Sequence, residues 1–185
     1  MVSPMKTPLD SRLMGLTYLR IALIPVVMTL TLSGSWGAAA GVFGIAAVTD
    51  FFDGYLARRW KATTVLGSFL DTTADKLLVA AALIALVEVG RAWAWAAFVI
   101  VGRELVILGL RGVVASDGTV MAPSFWGKLK ANVQFLAILL ALLRPAAELG
   151  PRVRDEWAMA LACFVTVMSG LEYLARHSSA LAGSR

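Results

Sequence analysis

A single cysteine, Cys163, stands in the 185 residues, so no disulfide can form within one chain and no zinc motif exists. It lies in an apolar run, where a thiol serves packing or faces lipid. Any long polar, Pro-rich or acidic stretch is also missing, and with it the compositional mark of a second domain or a disordered tail. Residues 1–185 therefore read as one domain. Charge is sparse: only 16% of residues are Asp, Glu, Lys or Arg, and none occurs from Ile21 to Thr49. The basic residues form no continuous stripe either. The net charge of +5 (17 basic minus 12 acidic) is distributed over the ends of apolar segments. Anionic lipid headgroups explain that placement better than nucleic acid, which is not expected as a partner.

What is abundant is apolar. Hydrophobic residues make up 59% of the chain, against roughly 45–50% in soluble domains. Six helical spans are predicted, roughly 14–33, 36–59, 66–88, 92–115, 127–146 and 156–176, since a bilayer needs about 20 residues per helix. The cluster Ser33-Gly34-Ser35 breaks the first from the second. The third span reaches full length only with Asp71, Asp75 and Lys76 inside it, and the fourth only with Arg103 and Glu104. Ionisable groups within spans mark function by default. Trp36, Trp60, Trp93, Trp95, Trp126 and Trp157 fall at span ends, as interfacial aromatic belts require. A soluble helical bundle, and a signal peptide cleaved near Ala38-Ala39-Ala40, are the competing readings of the same apolar runs.

Basic residues set the orientation. Lys6, Arg12, Arg58, Arg59, Lys61, Lys128, Lys130, Arg176 and Arg185 lie at one face if the N-terminus is cytoplasmic, leaving Arg91, Arg144, Arg152 and Arg154 outside. That bias places both termini inside. Asp50 precedes Arg58 by eight residues, about 12 Å along a helix, so it is half-sunk in the membrane and open to the cytoplasm.

Between Asp50 and Asp75 the chain reads D-F-F-D-G-Y-L-A-R-R-W-K-A-T-T-V-L-G-S-F-L-D-T-T-A-D. Asp50 and Asp53 are three apart and Asp71 and Asp75 four apart, so on helices each pair projects from one face. Four unpaired carboxylates in an apolar setting are too costly to keep ionised. Divalent cations remove that cost, and hard carboxylate oxygens suit Mg²⁺ or Mn²⁺. Two such pairs facing each other can hold two ions roughly 4 Å apart, an arrangement suited to phosphoryl-type displacement.

These residues fill all eight fixed positions of D-x2-D-G-x2-A-R-x8-G-x3-D-x3-D, through Asp50, Asp53, Gly54, Ala57, Arg58, Gly67, Asp71 and Asp75. The chain thereby resembles the CDP-alcohol phosphotransferase family. Further segments resemble the branch that forms phosphatidylglycerophosphate: Leu16–Val26, Asp75–Leu83, Gly102–Arg111 and Gly127–Gln134. Departures occur at Leu13, Met14 and Gly15, where the family's asparagine is missing, and at Thr72 and Ala131, where Pro and Thr are usual.

The resemblance implies an all-α integral membrane enzyme of six transmembrane helices. It would transfer a phosphatidyl group from CDP-diacylglycerol to sn-glycerol 3-phosphate, releasing CMP. It implies two Mg²⁺ (or Mn²⁺) ions per subunit on Asp50, Asp53, Asp71 and Asp75, with Asp75 also the base for the acceptor hydroxyl. The CDP-lipid would meet Thr17, Gly54, Ala57, Arg58, Thr64 and Gly67, and the acceptor phosphate Arg103, Arg111, Lys128 and Lys130. A homodimer in a bacterial-type inner membrane, its site facing the cytoplasm, is implied as well. Read singly, the small residues would merely allow close helix packing, and Arg58, Lys128 and Lys130 would be headgroup anchors. Glu172 and His177 read as solvated. A cardiolipin synthase or phosphatidylinositol-phosphate synthase of the same family is the alternative, ahead of a membrane prenyltransferase or an ion transporter.

Overall fold

The structure, a computed structural model, describes the backbone of residues 8–60, 65–116, 125–143 and 152–182. Side chains are described for 15–49, 69–112, 125–127, 129–143 and 156–176. Among the described residues six helices follow one another: α1 (Pro8–Leu32), α2 (Trp36–Trp60), α3 (Val65–Glu88), α4 (Ala94–Ser116), α5 (Phe125–Leu143) and α6 (Arg152–Ala182). Among the described residues there is no strand. The fold is all-α, as expected, and each helix overlaps one predicted span. α1 and α6 run further, onto polar turns at the two chain ends, because a helix need not stop where its apolar stretch does.

The α1–α2 turn shows why the chain reverses at Ser33-Gly34-Ser35. Gly34 takes a left-handed φ of 75°, a conformation cheap only for glycine. Ser35 N–H then donates to Leu30 O at 2.9 Å and Gly34 N–H to Thr31 O at 3.1 Å. That pair of bonds is the Schellman closure of a helix C-terminus. Ser35 O in turn accepts from Ala39 N–H at 2.9 Å and starts α2. Before α4, Gly90 again has a positive φ, 70°, and Trp93 O accepts from Ala96 and Ala97.

The chain divides into two compact units, residues 1–89 and 90–185. In the first, α1 packs along both α2 and α3, which touch each other little. Its core is built of small and medium side chains, including Ala39, Ala46, Ala74, Ala82 and Ala85 beside Phe43, Leu78 and Leu86. Small residues let helices approach closely where lipid offers no hydrophobic drive to associate. In the second unit α6 packs against both α4 and α5. Arg91 donates to Leu142 O at 3.1 Å, a cation closing the carbonyl end of α5. Glu104 on α4 binds Lys130 on α5. The turn that leads into α4 thus meets the end of α5, and the middle of α4 meets the beginning of α5, so the two helices run antiparallel.

Large apolar side chains point outward along this bundle, among them Ile45, Phe98, Leu105, Phe164 and Leu171. Exposed apolar surface on that scale marks a membrane-facing protein. Trp95 and Trp157, exposed by 77% and 70%, sit in the opening turns of α4 and α6. Among the described residues three helical stretches, Gly15–Leu32, Phe125–Leu143 and Glu156–Arg176, are long and apolar enough to cross a bilayer, with a shorter apolar stretch at Trp36–Thr49. α3 and α4 carry charge within their apolar sequence, as anticipated. The protein is an integral membrane protein.

Candidate active site

α2 and α3 carry the aspartate signature. Asp50, Asp53, Gly54, Ala57 and Arg58 fall on one uninterrupted helix, and Gly67, Asp71 and Asp75 on the next. The helical register assumed for each pair is therefore present in the backbone. The side chains of Asp50, Asp53, Ala57 and Arg58, and the surroundings of Gly54 and Gly67, lie outside the described residues; so does Thr64 altogether. No cluster of three acidic, His or Cys side chains occurs among the described residues, since two of the four aspartates are beyond them.

Asp71 and Asp75 are both half-buried, one turn apart on α3. Asp71 Oδ1 accepts a 2.7 Å ion-paired bond from Arg20 Nη1. Arg20 sits within α1 and is only 2% exposed, whereas the Asp71 side chain is 39% exposed. A buried guanidinium thus holds one oxygen of a carboxylate that still opens outward. Thr17, one turn before Arg20 on α1, is also buried. Arg20 was missed as a site residue by sequence reasoning. The available signal was an arginine inside the otherwise apolar run Leu16–Val26. The donor set fits a divalent cation: hard, anionic oxygens one turn apart on a helix, with Asp71 held in place by a partner of opposite charge.

In the second unit, three of the four residues expected around the acceptor phosphate are described. Lys130 and Arg103 meet on Glu104, which accepts from Lys130 Nζ and, at 3.3 Å, from Arg103 Nη1. Lys130 and Glu104 are buried, 6% and 8% exposed. A headgroup anchor would be exposed, so that competing reading of Lys130 does not hold. Arg103 reaches α6 as well, donating from Nη2 to Ser169 Oγ at 2.8 Å. Its Nε is buried and, among the described residues, has no hydrogen-bond partner. Arg111, further along α4, is exposed and lies over the Tyr173 ring at 5.9 Å. The Lys128 side chain lies outside the described residues.

Around this group run further polar contacts. Gln134 Nε2 donates to Thr166 Oγ1 at 2.8 Å, joining α5 to α6 in the interior. Glu172, expected to be solvated, has a side chain only 18% exposed and pairs with Arg176 at 2.7 Å. The helix packing explains the difference, because Glu172 lies on the α6 turn that carries Ser169 and Tyr173 toward α4. The His177 side chain lies outside the described residues. Ser169 and Tyr173 carry no motif and were invisible to sequence reasoning.

A sequence model described as CDP-alcohol phosphatidyltransferase matches residues 14–168. The chain is 41% identical to the CDP-diacylglycerol–glycerol-3-phosphate 3-phosphatidyltransferase of Bacillus subtilis, over 90% of this chain and 94% of the relative. The enzymes of the same name from Pectobacterium atrosepticum and Escherichia coli K12 are 41% and 39% identical. They are covered over 93% and 90% of their lengths, and this chain over 88% and 86%.

Proposed function

From the premise that this chain belongs to the CDP-alcohol phosphatidyltransferase family, we propose that it transfers a phosphatidyl group from CDP-diacylglycerol to sn-glycerol 3-phosphate. The products are phosphatidylglycerophosphate and CMP. The observation that carries the reading is identity near 40% over most of both chains to enzymes bearing that activity in their name. The complete aspartate signature supports it.

Asp50, Asp53, Asp71 and Asp75 would hold two divalent cations, Mg²⁺ or Mn²⁺. When bound, such ions neutralise the diphosphate oxygens and the departing CMP phosphate. The remaining chemistry belongs to the side chains. Asp75 takes the proton from the acceptor hydroxyl as its oxygen bonds to the phosphatidyl phosphorus. The phosphorus–oxygen bond to CMP breaks, and CMP leaves with the electron pair. Gly54, Ala57 and Gly67 leave room for the cytidine, Arg58 offers a planar fork to its phosphates, and Thr17 and Thr64 supply hydroxyls.

Arg103, Arg111, Lys128 and Lys130 would bind the acceptor's phosphate. A small dianion approaching a carboxylate-rich site needs such a cationic pocket, or repulsion excludes it. The buried Nε of Arg103, which has no hydrogen-bond partner among the described residues, supports this assignment, because a buried donor calls for an acceptor. The two units would form one catalytic domain of six spans, with both termini and the site on the cytoplasmic side of a bacterial-type inner membrane. We read it as a homodimer; crosslinking in native membranes that traps only monomers would reject that.

An acceptor panel tests the central assignment. With CDP-diacylglycerol, labelled glycerol 3-phosphate should outcompete phosphatidylglycerol and inositol phosphate. If either of the latter wins, the family assignment stands and the acceptor is wrong.

A further inference from the structure

Ser169 and Tyr173 lie one turn apart on α6, on the face that packs against α4, and each engages one arginine of α4. Ser169 is fully buried and accepts from Arg103 Nη2 at 2.8 Å. The Tyr173 ring is 6% exposed and lies under the Arg111 guanidinium at 5.9 Å, within the range of a cation–π contact. Between them, a Cβ placed on Gly170 would stand 3.4 Å from Arg103 Cγ, so α6 runs along the arginine's stem as well. Both positions lie just beyond residues 14–168, where the family match ends.

We propose that Ser169 and Tyr173 are positioning residues that hold Arg103 and Arg111 ready for the acceptor's phosphate, making this face of α6 a determinant of preference for a phosphorylated acceptor. The proposal rests on the reading of those two arginines as acceptor residues. An arginine side chain has several rotatable bonds, and fixing it only when ligand arrives weakens binding. Here the fixing is built into the fold. Glu104 accepts from Nη1 and Ser169 from Nη2, so the guanidinium plane of Arg103 is set from both sides while Nε has no partner among the described residues. Tyr173 offers its ring face to the Arg111 guanidinium at 5.9 Å, a contact that occupies none of the arginine's N–H donors with a hydrogen-bond acceptor.

Steady-state kinetics of the purified full-length enzyme separate this from a merely structural role. Ser169→Ala and Tyr173→Leu should each raise the apparent KM for glycerol 3-phosphate about three- to tenfold. The KM for CDP-diacylglycerol and kcat should stay within about twofold. Ser169→Thr and Tyr173→Phe, which keep the hydroxyl and the ring face, should restore near wild-type values. Arg103→Ala and Arg111→Ala are run beside them. If the arginine variants raise the acceptor KM and the α6 variants do not, the positioning proposal is wrong and the acceptor reading survives. If the arginine variants have no effect on it, the acceptor reading fails and the proposal with it. Equal rises in both KM values, or a fall in kcat alone, would also overturn the proposal. The two positions are read independently, and a variant that does not purify as a single species is replaced by Ser169→Gly or Tyr173→Met.

Discussion

Asp75 lies one turn beyond Asp71 on α3, and the two carry different expectations. Asp75→Asn should abolish CMP release while retaining more CDP-diacylglycerol binding than Asp50→Asn does. The amide can no longer accept the acceptor's proton, whereas loss of Asp50 weakens the hold on a cation. Equilibrium binding beside turnover separates the two, and a wild-type rate for Asp75→Asn would reject the assignment. Glu104 makes a different demand. It is the shared partner of buried Lys130 and of Arg103. Glu104→Ala should therefore destabilise the protein by about 3–5 kcal/mol, the range for breaking a buried pair from one side. Combining it with Lys130→Met should recover part of that loss in a double-mutant cycle followed by thermal unfolding in detergent. Strict additivity would mean that the pair is not coupled. The aspartates could be read from sequence because their spacing is itself the signal. The sharing of Glu104 between Arg103 and Lys130 could not, since Lys130 lies twenty-six positions on and reaches it only through the fold.

Helix by helix, the apolar runs were long enough to predict each of the six described helices, and the turn at Ser33-Gly34-Ser35 was marked by its own residues. Gly34 supplies a direct check. Its φ of 75° is strained for any side chain, although the nearest atoms to an added Cβ are Trp36 ring atoms at 3.8 Å or more. Gly34→Ala should thus cost about 1–2 kcal/mol through the backbone alone, seen as a lowered unfolding midpoint at unchanged KM values. No change in stability would mean that the α1–α2 closure is not a fixed feature. What sequence did not disclose at this scale is which faces meet. Arg20 stands inside the otherwise apolar run Leu16–Val26, and only the packing of α1 along α3 brings it to Asp71. Hydropathy marks a helix as apolar but does not say which neighbour a charge within it will reach. Ser169 and Tyr173, which carry no motif, meet Arg103 and Arg111 only through the fold.

At the scale of the whole molecule, the contacts within the second unit run in the order that alternating spans require. Arg91 with Leu142 and Glu104 with Lys130 set α4 against α5. Ser169 with Arg103 and Tyr173 with Arg111 keep one chain order on α4 and α6. With cytoplasmic termini, cysteines introduced at Thr63 and Thr119 in a Cys163→Ser background should be labelled from inside, and one at Ala147 from outside. The reverse pattern would place the aspartates on the wrong side for a cytoplasmic acceptor. The family match from 14 to 168 draws on both units. The most direct test is quantitation of both products from purified protein given CDP-diacylglycerol and sn-glycerol 3-phosphate, with Mg²⁺ or with chelator. CMP and phosphatidylglycerophosphate should appear in equal amounts with the metal and in negligible amounts without it. CMP formed without the phospholipid, or full turnover in chelator, would contradict metal-dependent phosphatidyl transfer.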